Sequence, residues 1–103
     1  MTLPTFQSIE HRLITAPVDP SRLNIDREKV ADLADDMARN GLLQPIGVRG
    51  PMPDQSYQLG FGHRRWLAAG SLGWQLVECK VWGPDVDLHQ IRASENHQRE
   101  PLT

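Results

Sequence analysis

The sequence predicts a small α/β domain built on a mixed sheet with about three helices, and three stretches of the chain predict it. Val30, Leu33, Ala34 and Met37 recur at the i, i+3, i+4, i+7 spacing of a helix with one buried stripe. Residues 75–82 alternate instead, with Val77, Cys79 and Val81 on one side and Glu78 and Lys80 on the other, the period of a half-buried strand. Between them, Gly50-Pro51-Met52-Pro53-Asp54-Gln55-Ser56 separates two short apolar runs with residues that favour turns.

The elements follow in order. Residues 1–10 show no clear pattern and read as a loose lead-in. His11 to Val18 reads as a short strand centred on Leu13 and Ile14 and closed by Pro17 and Pro20. Asp26 is a suitable N-cap for a helix from about Arg27 to Asn40, and Gly41 supplies its left-handed stop. Leu42-Leu43-Gln44 then leads into a strand, Pro45 to Arg49, which forms a hairpin with a second strand beginning at Tyr57-Gln58-Leu59. That strand runs into Gly60-Phe61-Gly62-His63 and a helix from Arg64 to about Leu72, stopped by Gly73. The alternating strand comes next, from Gln75 to Trp82, and Gly83-Pro84 breaks it. Asp85 or Asp87 caps a last helix using Leu88 and Ile91 and ending near residues 94–99.

A chain of 103 residues fits one domain, residues 1–103, around a single core. Its 39% hydrophobic and 23% charged residues describe a globular chain rather than a disordered one. No apolar run approaches the roughly 18 residues of a membrane span. Met1-Thr2-Leu3-Pro4-Thr5 has neither the basic start nor the apolar stretch of a secretory signal. One cysteine excludes an internal disulfide framework. The expectation is a cytoplasmic protein without a membrane partner.

The formal net charge of −2 excludes a domain that attracts DNA by overall charge. The kind of cation is more telling. Of eleven basic residues only Lys29 and Lys80 are lysine, so nine are arginine. The arginine fork grips phosphate or carboxylate through two bonds, which lysine cannot do.

Chemistry is expected first where the second hairpin strand meets its helix, at Gly60-Phe61-Gly62-His63-Arg64-Arg65. Glycines let backbone approach a ligand closely, and the unpaired amides of a helix N-terminus favour an anion. Two arginines in that first turn oppose the helix dipole, which is a hint that an anion belongs there. A tight strand–helix turn with solvated arginines is the plainer reading of the same residues. The second signal is Glu95-Asn96-His97-Gln98-Arg99. A carboxylate beside an amide can hold Mg²⁺ or orient a water, and Arg99, one helical turn past Glu95, can reach that carboxylate or a phosphate. A surface Glu–Arg pair is again the plainer reading. In the third segment, Gly41-Leu42-Leu43-Gln44-Pro45-Ile46, helix stop and core packing account for everything except Gln44. Of the tryptophans, Trp66 is expected in the core and Trp74 is the better candidate for stacking on a base. Four histidines, His11, His63, His89 and His97, show no metal-ligand spacing within one element.

Together and in this order, Gly41–Pro45, Gly62-His63-Arg64-Arg65-Trp66 and Glu95-Asn96-His97-Gln98-Arg99 resemble the N-terminal domain of the ParB family. That family shows a glycine-leucine-leucine-glutamine-proline segment, a glycine-glutamate-arginine-arginine turn and a closing glutamate-asparagine-x-x-arginine stretch. The resemblance covers about residues 8–103, with Leu72-Gly73 at the place of a familiar leucine-glycine pair. It implies a domain that binds CTP with Mg²⁺ and switches a DNA clamp in plasmid or chromosome partition, as a nucleoid- or plasmid-associated homodimer. By the resemblance, Gly60, Gly62, His63, Arg64 and Arg65 hold the nucleotide with Gly41 and Gln44, Asn96 ligates the metal, and Glu95 and Arg99 assist a slow CTP hydrolysis. His63 stands where the family has glutamate, and Leu67 where it has a third arginine. No helix-turn-helix lies within the sequence, so DNA reading is expected to belong to a domain outside it. Two alternatives stay open: a ParB-like nuclease or phosphotransfer enzyme, and a protein-interaction domain that has lost nucleotide binding. Phe61-Gly62-His63-Arg64 is also similar to the phenylalanine-glycine-glycine-cysteine-histidine-arginine signature of sulfiredoxin. Gly62 stands where the nucleophilic cysteine would be, and Cys79 is expected to face a core.

Overall fold

The computed structural model describes residues 4–16, 27–41 and 44–98, the side chains of 95–98 excepted. Asp26, Pro17, Pro20, Leu42, Leu43 and Arg99 lie outside the described residues. Five strands form one sheet: β1 (Thr5–Glu10), β2 (Ile14–Thr15), β3 (Ile46–Arg49), β4 (Tyr57–Phe61) and β5 (Leu76–Trp82). Three α-helices join them: α1 (Arg27–Asn40), α2 (His63–Ser71) and α3 (Leu88–Gln98). The strand order is β1-β5-β3-β4-β2. The β1–β5 and β3–β4 pairs are antiparallel, whereas β5–β3 and β4–β2 are parallel, so the sheet is mixed as expected.

The expected loose lead-in is corrected for its second half. Thr5–Glu10 pairs along its whole length with β5, from Thr5 opposite Val81 to Glu10 opposite Leu76. Its burial gives no periodic signal, because only Ile9 is buried and Phe6 is 71% exposed. The expected strand at His11–Val18 is also shorter. His11–Leu13 is a 3-10 turn, and only Ile14 and Thr15 then pair with β4.

Alternate faces of the strands enter two separate buried clusters, as the period of two requires. One contains Ile9, Ile14, Val48, Leu59, Val77, Cys79 and Val81 together with Ala34 and Met37 of α1 and Ala68 and Ala69 of α2. The other contains Phe61, Trp82 and Ile91 of α3, with Val86 and Leu88 against them. Burial of the smaller cluster on the opposite face depends on an irregularity. Gly47 pairs with Phe61 but Val48 pairs with Leu59, so Gly60 is the extra residue of a β-bulge. The bulge moves Phe61 out of step with Leu59 and onto the α3 face, where its ring meets Trp82 edge-on at 6.0 Å.

The end of α1 and the start of α3 follow their expected signals. Gly41, at φ +75°, donates its amide to Met37 O at 2.8 Å and closes α1. Of the two aspartates considered as cap for α3, Asp87 takes the role, accepting from the His89 amide at 2.9 Å.

Candidate functional site

The site is built where β4 hands over to α2. Gly62 caps the helix in the left-handed region, at φ +89° and ψ +31°, and no side chain caps it. A Cβ there would lie 2.7 Å from Ile46 Cγ2, so both the backbone angle and the close approach to β3 require glycine. The first helical bond runs from the Trp66 amide to Gly62 O at 2.9 Å. The amides of His63, Arg64 and Arg65 precede it and point out of the helix end, with no acidic residue in the first turn to meet them. Such an end carries partial positive charge and is suited to an anion.

Two arginines of α2 and the backbone leading into β3 meet at this end. Arg64 is exposed. Arg65 donates through Nη1 to Gln44 O at 3.3 Å and Pro45 O at 3.1 Å. It thereby joins the first turn of α2 to the segment leading into β3, two of the three stretches that the sequence singled out. Gly41 stands three residues earlier, at the end of α1. Pro45 also lines a cleft of about 400 Å³ with Phe6, Gln7, Ser8, Glu78 and Cys79.

His63 begins α2 and is half-buried. Its ring meets Trp66 edge-on at 5.8 Å, and burial pushes its pKa below the ordinary imidazole value. The opposite contact of Trp66 is His11, stacked at 5.2 Å with only 9° between the ring planes. His11 Nε2 also lies 2.9 Å from Trp66 O, giving it a structural task. Trp66 packs against the main core as expected. Trp74 is half-buried and packs against the same core.

Gly60 sits differently from the other turn glycines. It is buried under α3, where a Cβ would come within 2.5 Å of Ile91 Cγ2, so helix packing and the bulge account for it. Its carbonyl accepts from Arg92 Nε at 3.1 Å. Arg92 is a residue that the sequence reading did not single out. No local spacing points to it, because its partner lies thirty-two positions away. The backbone of α3 includes Glu95 and Asn96, whose side chains are not among those described. Among the described residues no group of three His, Cys, Asp or Glu is placed to hold a metal.

Cys79 is buried on β5, and burial pushes its thiol up to about 12. A thiol held protonated in this way is not a nucleophile at neutral pH.

Comparison with known proteins agrees with this geometry. The chain is 36% identical over 83 residues to the nucleoid occlusion protein of Oceanobacillus iheyensis, covering 80% of this chain and 29% of that protein. It therefore spans less than a third of that relative's length. Chromosome-partitioning protein ParB from Caulobacter crescentus, C-terminally truncated and complexed with CTP-gamma-S, superimposes with a TM-score of 0.76 at 33% identity, over 95% of this chain and 56% of that one. The same Caulobacter protein complexed to the centromeric parS site gives 0.63 at 30% identity, over 94% and 50%. Sulfiredoxin from Arabidopsis thaliana gives 0.66 at 26% identity, over 93% and 99%, which fits the shared fold while Cys79 offers no equivalent thiol. With residues 4–100 also matching the model for the ParB N-terminal domain, the chain belongs to the ParB N-terminal domain family.

Proposed function

We propose that this domain binds CTP with Mg²⁺ at the N-terminus of α2, and that nucleotide occupancy switches a dimeric DNA clamp of the partition or nucleoid-occlusion type. The observation that carries the reading is the uncapped first turn of α2, with three outward amides, Arg64 exposed beside them and Arg65 tied to the Gln44–Pro45 carbonyls. Glycine at position 62 keeps the backbone free of a Cβ, and the turn contains no carboxylate to compete with phosphate. The likeness to a ParB held with a CTP analogue supports the choice of nucleotide.

Asn96 is the residue we assign to the metal. The described residues supply no acidic cage. That composition suits Mg²⁺, which keeps several waters and takes phosphate oxygens with only one or two protein groups. When bound, the cation neutralises phosphate charge. Glu95 and Arg99 would serve a slow hydrolysis that resets the switch. Contact with DNA is assigned to regions outside these residues, in keeping with the net charge of −2 and the parS complex of the Caulobacter relative. The two conformations of the clamp must differ in nucleotide affinity for CTP to shift between them.

Calorimetric titration with CTP, ATP, GTP and UTP, with and without Mg²⁺, tests the reading. The double variant Arg64→Ala, Arg65→Ala removes two charge-assisted contacts and is expected to cost about 3 kcal/mol, roughly a hundredfold in Kd. A folded wild-type domain that binds none of the four nucleotides would instead make it a protein-interaction domain.

A further inference from the structure

We infer that Arg92, on α3, is a further phosphate-binding residue of the nucleotide site and couples α3 to it; the inference rests on the reading of α2 as that site. Arg92 is half-buried, and among the described residues no carboxylate pairs with it. Its Nε donates to Gly60 O at 3.1 Å, which anchors one edge of the guanidinium and leaves the two terminal nitrogens as donors. A partly desolvated guanidinium without a counter-charge is costly, and an anion at the site relieves that cost.

The anchor is close to the place where the anion would bind. Gly60 precedes the helix cap Gly62 by two residues, which separates their Cα atoms by at most about 7 Å of extended chain. The guanidinium is therefore anchored two residues before the turn that carries Arg64 and Arg65. Positions 95 and 96 lie three and four residues further along α3, on the face that carries Arg92. An anion gripped by Arg92 thus registers α3, with Glu95 and Asn96, against the first turn of α2. Position 67, on α2, is leucine and brings no charge there. Arg92 supplies a third cation from another element.

The test compares wild type with Arg92→Gln and Arg92→Lys, titrated with CTP, inorganic tripolyphosphate and cytidine, with thermal melts of each. Glutamine can keep the bond to Gly60 O without the charge, and lysine keeps the charge without the fork. Arg92→Gln is expected to weaken CTP and tripolyphosphate on the order of tenfold and leave cytidine and the melting temperature unchanged. Arg92→Lys is expected to recover part of that loss. Unchanged CTP and tripolyphosphate affinity in Arg92→Gln would overturn the inference and leave the α2 site standing. So would an equal loss for all three ligands with a lowered melt, which marks a purely structural tie. Wild type that binds neither CTP nor tripolyphosphate would overturn the α2 site itself.

Discussion

Two features of the fold act on His63 in the same direction. Its position at the start of α2 and its burial against Trp66 both disfavour the imidazolium, and burial lowers its pKa. In the unfolded chain the same ring takes up a proton near pH 6.5, its ordinary value. The folded, nucleotide-free domain is therefore fully stable with respect to His63 above that pH, and loses stability as the pH falls through it towards the lowered folded value. A triphosphate at the helix end reverses the sign, because an anion favours the charged ring. Binding should then take up a proton and tighten on acidification. Calorimetry in two buffers of different ionisation enthalpy, run near pH 6.5 on wild type and His63→Gln, reads that uptake directly. Titration of the nucleotide's own phosphate is common to both proteins, so the difference belongs to His63. Identical proton counts would show that the ring is not beside the anion.

At the scale of elements, β1 shows how a strand is held without a sequence signature. Its six pairs with β5 are backbone pairs, its Phe6 lies near Lys80 on an exposed face, and Ile9 alone reaches the main core. Ile9→Ala should cost about 2–4 kcal/mol by chemical denaturation, whereas Phe6→Ala should cost under about 0.5 kcal/mol. Equal costs would mean that β1 is not seated by Ile9. The contrast explains what was readable. The α1 stripe through Ala34 and Met37, the stop at Gly41 and the Val77–Cys79–Val81 alternation are local, so pattern and position coincide. The bulge at Gly60, the 3-10 turn in which His11 meets Trp66, and the bond from Arg92 to Gly60 O are decided by residues far apart in the chain. Spacing carries no trace of them. At the site, the glycine turn and Arg64–Arg65 were legible as an anomaly of charge at a helix start. Gly60 looked like part of that anomaly and is accounted for by its packing on Ile91.

The whole molecule divides unequally about its sheet. α1 and α2 share the larger core with residues from all five strands, while α3 rests on Phe61 and Trp82 through Ile91 and Leu88, with Val86 just before the helix packed beside them, and on the Arg92 bond. Local opening follows the least buried apolar contact, so α3 is the helix expected to open with the smallest free energy. A ligand that touched only α2 would protect all elements alike, through the global term RT ln(1 + [L]/Kd), about 2.7 kcal/mol at a hundred times Kd. One that bridges α2 and α3 adds to this by removing the local opening of α3. Hydrogen exchange of the nucleotide-free domain should therefore show faster exchange in residues 91–98 than in the interior of α1. Saturating CTP should slow α3 by a larger factor than β1, which takes no part in the bridge. Equal protection of α3 and β1 would show that nucleotide leaves α3 alone. Selective protection would identify α3 as the movable element through which an occupied site is reported to the rest of a clamp.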